Sequence, residues 1–416
     1  MREMCDRGRL RIALVAPFGL RARGTTRARI LPLARELARR GHATTLLIPP
    51  YDSPEDAGRR WTEGGVDVIN LPLPSGRGFG SAWHLWLAWR LWRATVALAP
   101  DVAHIFKPKG PSGLVGAALW AGRRSPLIVL DSDDWEGPGG WNDDPRAGYS
   151  PLQRRFFAWQ ERFGLSHAHA WTVASETLRD RAIACGATAG RVFVLPNGAP
   201  AEADFPVSRS PSSGRSSPMV ILYTRFAGVR PVDVAGIWRR VAAWMPALRL
   251  TVVGRGLAGE ERELGRLLPE AELLGWVEPR EAAALFARSS LAMIPWADTP
   301  ANRGRSSVKV RELMAAGLPL VAYAVGELPA TLGDAALLAP AGDADAFAAA
   351  IVTLLTDPER AQRLGRAAQQ RARERFAWNN LATVAREAYA VERQTSGVRH
   401  QASGVKRETS SVKRRT

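Results

Sequence analysis

The sequence predicts an α/β protein built from two parallel-sheet domains. Short apolar strands alternate with helical segments from residues 10–17 to residues 335–338, which is the pattern of parallel sheets covered by helices. A Pro/Ser/Gly-rich stretch, residues 206–218, interrupts this pattern and is typical of a linker. With 416 residues, the chain is long enough for two domains with separate cores.

The net charge of the chain limits the kinds of molecule that it is expected to bind. The formal net charge is +17, from 57 basic and 40 acidic residues. The basic residues are scattered along the chain rather than gathered with aromatic residues into one stripe, so we do not expect nucleic acid as a partner. An anionic membrane surface or a diphosphate-bearing substrate fits the positive charge better.

Two distant cysteines, Cys5 and Cys185, favour a reducing compartment. No apolar run approaches the ~20 residues that span a bilayer, and the amino terminus lacks signal-peptide character. We therefore expect a cytoplasmic protein.

The first strand, residues 10–17, is followed by a loop that contains Gly19, Gly24 and Thr25. A helix over residues 27–40 and a second strand over residues 42–49 complete a strand–loop–helix–strand unit typical of nucleotide-binding sheets. A single glycine-rich loop is a weak signal, because a tight turn without a ligand gives the same pattern.

Four tryptophans then recur at every third position of one predicted helix. Such spacing places the rings on one side of the helix. Packing into the core is one interpretation. The other places the rings, with Arg90 and Arg93, at an anionic membrane interface. The tryptophans are Trp83, Trp86, Trp89 and Trp92.

Charged side chains follow the next two strands. Lys107 and Lys109 come after the strand at residues 101–106, where they could meet an anionic group of a ligand. The strand at residues 127–130 is followed by four carboxylates, whose repulsion must be offset by a cation, a hydroxyl-rich ligand or basic partners. Capping of local turns is the alternative. These carboxylates belong to Asp131, Asp133, Asp134 and Glu136.

The second domain opens with a strand at residues 220–224, followed by Arg225 and Arg230. Its second strand leads into residues 254–259, GRGLAG, which match the G-x-G-x-x-G pattern of dinucleotide enzymes. That pattern normally follows the first strand of a domain, and here Glu278 would have to hold the ribose. A dinucleotide oxidoreductase is therefore the weaker alternative.

The stretch from residue 292 to residue 327 carries the clearest binding signal. A strand, a polar loop, a helix that begins near Ser306 and Ser307, and another strand follow each other directly. This arrangement puts a helix N-terminus at the carboxyl edge of a parallel sheet, where a diphosphate can bind. Lys309 adds a positive charge, and Glu312 offers acceptor oxygens for a ribose diol.

The run SSVKVRELMAAGLPLVAYAVGE resembles the donor-site segment of the GT-B retaining glycosyltransferases of family 4, and a weaker resemblance extends over residues 8–390. It implies two Rossmann-like domains facing a cleft and transfer of a sugar from a nucleotide-diphosphate sugar to a hydroxyl, without a resident metal or cofactor. The departing phosphate would act as the base. Asp-x-Asp is the metal–diphosphate signature of the other architecture, GT-A, but that fold has one nucleotide domain.

The resemblance also implies a role for each matching position. Arg225, Lys309 and Glu312 would be catalytic. The acceptor-binding residues would be Lys107, Lys109, Asp133 and Asp134. The donor-binding residues would be Gly24, Thr25, Arg230, Gly254, Gly256, Trp276, Val277, Ser306, Ser307 and Val308.

Two positions depart from the family pattern. Gly304 stands where the family often has a Glu that holds the transferred sugar, and Phe106 stands where it has a second His. A non-catalytic sugar-nucleotide or membrane-surface protein therefore remains an alternative.

The predicted division of the chain is an acceptor domain, 1–205; a linker, 206–218; a donor domain, 219–375; a helix that crosses back to the first domain, 376–393; and a basic tail, 394–416. The acceptor could be lipid-linked, in glycolipid or cell-surface polysaccharide synthesis, with the enzyme peripheral at the inner face of the cell membrane.

Overall fold

The structure, a computed structural model, describes residues 8–21, 24–73, 80–122, 125–200 and 218–391. The predicted linker, apart from Pro218, and the predicted basic tail lie outside the described residues, as does Cys5.

The first domain contains an eight-stranded sheet. Its strands are β1 Arg11–Val15, β2 Ala43–Ile48, β3 Arg60–Glu63, β4 Val66–Asn70, β5 Val102–Phe106, β6 Leu127–Ser132, β7 Ala170–Val173 and β8 Val192–Val194. They lie in the order β3-β4-β2-β1-β5-β6-β7-β8. All neighbours pair in parallel except β3 and β4, which form an antiparallel edge. The central strands read as continuous apolar runs because helices cover both faces of the sheet.

Five helices of the first domain are α1 Leu31–Arg39, α2 Gly80–Ala97, α3 Pro111–Ala121, α4 Pro151–His167 and α5 Glu176–Ala184. Three of the four tryptophans on α2, namely Trp83, Trp86 and Trp92, pack against the core under one face of the sheet. Trp89 is 45% exposed. Most of this aromatic stripe therefore serves the core.

The second domain contains a six-stranded sheet in which all neighbours are parallel. Its strands are β9 Met219–Tyr223, β10 Arg249–Val253, β11 Glu272–Gly275, β12 Leu291–Ile294, β13 Leu320–Tyr323 and β14 Leu337–Ala339. They lie in the order β11-β10-β9-β12-β13-β14. The helices are α6 Pro231–Trp244, α7 Glu260–Leu267, α8 Pro279–Arg288, α9 Pro300–Arg303, α10 Val308–Ala315, α11 Leu328–Leu332, α12 Ala344–Thr356 and α13 Pro358–Phe376.

A last helix, α14 Trp378–Tyr389, packs on the first domain rather than the second. Leu381 and Ala385 are buried in the first core, and the Oη atom of Tyr389 lies 2.8 Å from Nδ1 of His104 on β5. The carboxyl-terminal end of the described chain is thus part of the first domain's core.

In each sheet the strand order reverses at one point, between β1 and β5 and between β9 and β12. Ligands of open parallel sheets bind beyond the carboxyl ends of the strands at such points. The loops at these ends meet between the domains: Ser175 Oγ, after β7, donates a hydrogen bond to the carbonyl of Gly304, after β12, at 2.8 Å. These two sheets confirm the predicted GT-B architecture. Within the described residues, no helix combines the length and hydropathy needed to cross a membrane.

Candidate functional site

The stretch between β12 and β13 forms the strand–loop–helix–strand unit that the sequence predicts. Ser307 caps α10, and its Oγ accepts a hydrogen bond from the backbone of Val310. Val308 begins the helix and, with Glu312, lines a crevice of about 710 Å³ between the two domains. The N-terminus of α10 therefore opens at the carboxyl edge of the second sheet, where its unpaired amides and the helix dipole favour an anion.

Lys309 and Glu312 differ in their surroundings. Nζ of Lys309 lies 3.7 Å from the ring centroid of Tyr223, the last residue of β9. Arg225 follows two positions later and is exposed. Oε2 of Glu312 is buried and has no hydrogen-bond partner among the described residues. A buried carboxylate oxygen without a partner costs free energy, and a ligand hydroxyl in the crevice would supply the missing hydrogen bond.

Ser306 lies at a contact between the domains. Its Oγ accepts a hydrogen bond from the backbone N–H of Asn197 at 3.0 Å, and its carbonyl accepts one from the Asn197 side chain at 2.5 Å. Nε of Arg311 reaches the Asn197 carbonyl at 3.3 Å. The start of α10 is therefore fixed against the end of the first domain.

The two arginines after β9 are placed differently. Arg225 stands at the strand end, whereas Arg230 precedes α6 and forms hydrogen bonds with Asp233, with Nε 2.7 Å from Oδ2. The Arg230 side chain is 67% exposed.

The glycine-rich loop after β10 is closed by its own helix. The N–H of Gly256 donates to Glu261 at 2.9 Å. Gly254 has φ +119° and approaches the Thr224 carbonyl so closely that a Cβ would lie 1.7 Å from it, so glycine is needed there. The Gly256 amide is therefore engaged by a carboxylate of α7 in this structure. Glu278, in turn, caps α8 rather than ending β11.

Trp276 and Val277 follow β11. Trp276 is 47% exposed, and Val277 is buried. Pro279, two residues further, lines the same crevice as Glu312. This places the segment on the crevice side of the second domain.

The predicted acceptor residues come together at the carboxyl ends of β5 and β6. Nζ of Lys107 lies 2.8 Å from Asp134, 3.1 Å from Glu136 and 3.3 Å from Asp133. Lys107 has φ +44°, a strained conformation for a residue with a side chain. Its ammonium group thus sits among three carboxylates. Within the described part of the chain, no group of His, Cys, Asp and Glu side chains is arranged to hold a metal ion.

Lys109 extends this cluster. Its Nζ donates to Asn142 at 2.6 Å and lies 3.1 Å from Glu136. The rings of Tyr149 and Phe157 face it at 4.5 and 5.1 Å. Both lysines are therefore engaged by protein groups, and neither presents an isolated positive charge to a ligand.

The charges of this cluster shift one another's pKa values. Burial alone would lower the pKa of Lys107, but Asp133, Asp134 and Glu136 raise it well above its usual value. Burial raises the pKa of Asp134. Burial would also raise the pKa of Asp133, yet the charges of Lys107 and Arg29 lower it. At neutral pH, Lys107 is charged and Asp133 is ionised.

The loop after β1 joins this cluster. Oγ1 of Thr25, next to Gly24, donates to Asp133 at 2.9 Å. Behind it, Arg29 and Asp131 form a buried ion pair with two parallel hydrogen bonds of 2.8 and 2.6 Å. Asp131 is thus structural, and Asp133 connects the glycine-containing loop with the acidic cluster.

Arg305 is a cleft residue that the sequence analysis missed. Its guanidinium lies between the rings of Trp141, from the first domain, and Trp296, at centroid distances of 4.7 and 5.0 Å. The signal in the sequence is its position directly after Gly304, where the family pattern breaks. Arg146 also crosses between the domains, with Nη1 2.5 Å from Glu260.

Comparisons with known proteins agree with this geometry. A family model described as "Glycosyl transferase 4-like domain" matches residues 24–198, and one described as "Glycosyl transferases group 1" matches residues 234–357. The first match includes β2 to β8 of the first domain, and the second includes β10 to β14 of the second domain.

Among curated proteins, the phosphatidyl-myo-inositol mannosyltransferase of Mycolicibacterium smegmatis is 27% identical over 404 residues, covering 91% of this chain and 93% of that protein. The glycogen synthase of Mycobacterium tuberculosis is 29% identical over 183 residues, 42% of this chain, and this match spans only 43% of the synthase. A sucrose-phosphate synthase structure from Thermosynechococcus elongatus has a TM-score of 0.69 at 21% identity, covering 92% of this chain and 98% of that one.

Proposed function

Because this chain belongs to the GT-B glycosyltransferases of family 4, we propose that it transfers a sugar from a nucleotide-diphosphate donor to a hydroxyl acceptor. The donor binds the second domain and the acceptor binds the first. The main supporting observation is that α10 carries both Lys309, beside Tyr223 at the end of β9, and Glu312, whose Oε2 lacks a hydrogen-bond partner among the described residues.

In the proposed donor site, different residues bind the diphosphate and the nucleoside. Lys309, Arg225 and the first amides of α10 bind the diphosphate, because positive charge and a helix N-terminus favour an anion. Glu312 accepts hydrogen bonds from the ribose hydroxyls. The nucleoside lies along the crevice toward Pro279, which follows Trp276 and Val277 in the chain.

We propose transfer with retention of configuration. The acceptor oxygen attacks the anomeric carbon from the face that the diphosphate leaves, and the bond from that carbon to the diphosphate oxygen breaks. A departing phosphate oxygen takes the proton of the acceptor hydroxyl. The products are a glycoside and a nucleoside diphosphate. Lys309 and Arg225 stabilise the negative charge that develops on the leaving group.

The acceptor lies at the acidic cluster of the first domain. Because Lys107 and Lys109 already contact Glu136, the ligand is recognised mainly by carboxylates, which accept hydrogen bonds from hydroxyl groups. Asp133 and Asp134 are the proposed acceptor contacts. The similarity to a phosphatidyl-myo-inositol mannosyltransferase supports a lipid-linked polyol acceptor in glycolipid or cell-surface polysaccharide synthesis.

The proposal includes no resident metal or cofactor. Lys107 supplies the positive charge among the carboxylates of the first domain, and Lys309 supplies it at the donor site. We expect catalysis to persist in the presence of a chelator.

The test is a panel of nucleotide-diphosphate sugars, with release of nucleoside diphosphate as the readout. Thermal stabilisation identifies the donor that binds, because a ligand of the folded state raises its melting temperature. Lys309→Ala should lower the release rate about 100-fold, since loss of an electrostatic contact to a developing charge costs roughly that much. Arg266→Ala, which removes an exposed cation on α7, is the control. Equal, near-zero release by wild type and Lys309→Ala with every donor would support a non-catalytic protein instead.

An exposed aromatic surface on α3 and α4 supports a second proposal, that the protein attaches to a membrane. Phe156, Trp159, Phe163 and Trp120 form a continuous row of rings on α4 and α3, with neighbouring centroids 5.5 to 5.7 Å apart. Phe156, Trp159 and Trp120 are exposed. We call these four residues the aromatic row. Aromatic rings on an amphipathic surface are suited to a lipid interface.

The charge around the aromatic row fits an anionic surface. Helices α2, α3 and α4 carry a single acidic residue, Glu161, which is buried and bonded to Arg181. Exposed arginines, Arg155 and Arg162, lie on α4, and Arg93 covers Trp89 on α2. We propose that this face rests on the inner surface of the cell membrane.

Vesicle sedimentation tests this attachment. Wild type should bind vesicles of phosphatidylcholine with an anionic phospholipid and bind phosphatidylcholine alone weakly. Phe156→Ser with Trp159→Ser should abolish binding, whereas Trp244→Ser, at another exposed tryptophan, should not. If wild type does not sediment with anionic vesicles, or if the double variant binds them as well as wild type does, the aromatic row is not a membrane-binding surface.

A further inference from the structure

Arg305 occupies a position in the cleft that the family pattern does not describe. It follows Gly304, the position at which relatives often carry a carboxylate. A Cβ at Gly304 would lie 3.5 Å from Leu178 of the first domain, so a side chain there would start toward the domain contact. The residue after it brings a cation into the cleft instead.

Three sides of the Arg305 guanidinium are occupied. The two indole rings of Trp141 and Trp296 cover its faces. Nη1 donates to the Ala227 carbonyl at 2.8 Å and to Oδ1 of Asn302 at 3.2 Å. Among the described residues, Nε and Nη2 have no protein acceptor. The guanidinium thus keeps one open edge, and such an edge can bind two oxygens of a phosphate group.

No described carboxylate lies within ion-pair distance of Arg305, although most of the other charged groups in this cleft are paired. Burial lowers the pKa of Arg305 to about 10, with Asp134 acting in the opposite direction and Arg225 in the same direction. A half-buried guanidinium without a carboxylate partner is unfavourable until an anion binds it, and the positive charge of Arg225 adds to this cost.

Arg230, by contrast, already has an anionic partner. It forms two hydrogen bonds with Asp233 three residues later and points to solvent. Arg305 is attached to the same loop, because its Nη1 is bonded to Ala227, two residues after Arg225.

We propose that Arg305, rather than Arg230, is the second guanidinium that binds the diphosphate of the donor, opposite Arg225. This inference rests on the proposed function and assigns its diphosphate site to different residues than the sequence pattern does. Trp141 makes the site depend on both domains, since the acceptor domain supplies one of the two rings that hold Arg305 in place.

The experiment measures binding of UDP, GDP and ADP, and of the matching nucleosides, by calorimetric titration. Arg305→Ala should weaken binding of the nucleoside diphosphate that wild type prefers by about tenfold or more, which is the effect of losing a charge-assisted hydrogen bond, and should leave nucleoside binding unchanged. Arg230→Ala should bind like wild type. Arg303→Ala is the matched control, because Arg303 lies two residues before Arg305, at the end of α9, and is exposed and paired with Asp298.

Arg305→Gln is a second variant, which keeps most of the side chain between the two rings and is therefore less prone to misfold. It should bind the diphosphate more weakly than wild type, while the melting temperature of the unliganded protein stays the same. Wild-type affinity in Arg305→Ala or Arg305→Gln, or an equal loss in Arg230→Ala, would overturn the assignment while leaving the proposed function intact. If wild type binds none of the three diphosphates, both proposals fail.

Discussion

At the scale of single residues, Glu312 has the most informative environment. One of its carboxylate oxygens is buried without a hydrogen-bond partner among the described residues, in a crevice of nucleotide-sized volume. Such a group lowers stability unless a ligand satisfies it. The sequence predicted this residue from its position near a helix start, but only the structure reveals the unsatisfied oxygen.

This environment predicts how Glu312 recognises the donor. Wild type should prefer a ribonucleoside diphosphate to its 2′-deoxy form, and Glu312→Ala should lose that preference with about a tenfold loss of ribonucleotide affinity, the usual effect of a hydrogen bond to a charged group. Calorimetric titration of wild type and variant with each nucleotide measures both affinities and hence the preference. Glu263→Ala, at an exposed carboxylate of α7, is the control. An undiminished ribose preference in Glu312→Ala would exclude the ribose role.

His104 is an ionisable residue that the fold uses as part of its core. It lies buried between Tyr389 of α14 and Thr172 of β7, at 2.8 and 3.0 Å. Burial, with a smaller contribution from the charge of Arg29, lowers its pKa well below the usual 6.5. The folded protein therefore keeps His104 neutral at pH values where the unfolded chain protonates it.

The neutral His104 makes the free energy of unfolding depend on pH. Below pH ~6.5 the unfolded chain binds a proton that the folded chain does not, so the free energy of unfolding falls by about 1.4 kcal/mol per pH unit. His104→Gln removes this contribution. Urea unfolding of both proteins at pH 7 and pH 5 should show their stability difference narrowing by about 2 kcal/mol at pH 5. A constant difference would mean that His104 binds its proton equally in the folded and unfolded states.

At the scale of elements, the acidic loop after β6 depends on Lys107 from the neighbouring strand end. Three carboxylates converge on one ammonium group. The sequence predicted that these residues follow strand ends of a parallel sheet and that the carboxylates need a cation, a hydroxyl-rich ligand or basic partners. It did not identify Lys107 as that partner, since the pairing depends on the adjacency of β5 and β6 and on side-chain directions at a strained strand end.

Removing Lys107 should convert the cluster into a cation site. Lys107→Ala leaves three facing carboxylates and should reduce the free energy of unfolding by about 3–5 kcal/mol. Calcium, which prefers carboxylate oxygens, should restore part of the melting temperature of this variant and leave that of wild type unchanged. Lys109→Ala, which frees only Glu136 and Asn142, is the control. A calcium-insensitive Lys107→Ala protein would contradict this description of the cluster.

The sequence predicted most strands and helices because each apolar run is buried on both sides. It missed β3, whose alternately exposed residues Arg60–Glu63 lack an apolar run. For the tryptophans of α2, periodicity could not choose between core and membrane, because it does not show which neighbouring elements partly bury three of the four.

At the scale of the whole molecule, the site exists because distant segments meet. Trp141 reaches Arg305, Arg146 reaches Glu260, and Asn197 holds Ser306. These pairs are separated by more than 100 positions, so no local pattern predicts them. This is why the sequence could propose the donor residues of one helix but not Arg305, whose environment is built from both domains.

The central claim is that the carboxyl edge of the second sheet binds a nucleoside diphosphate. A crystal structure of the protein with the nucleoside diphosphate that stabilises it most tests this claim directly. The diphosphate oxygens should lie within hydrogen-bonding distance of Lys309 and Arg225, with a ribose hydroxyl on Oε2 of Glu312. A nucleotide whose diphosphate contacts neither Lys309 nor Arg225, and whose ribose hydroxyls do not reach Glu312, would contradict it.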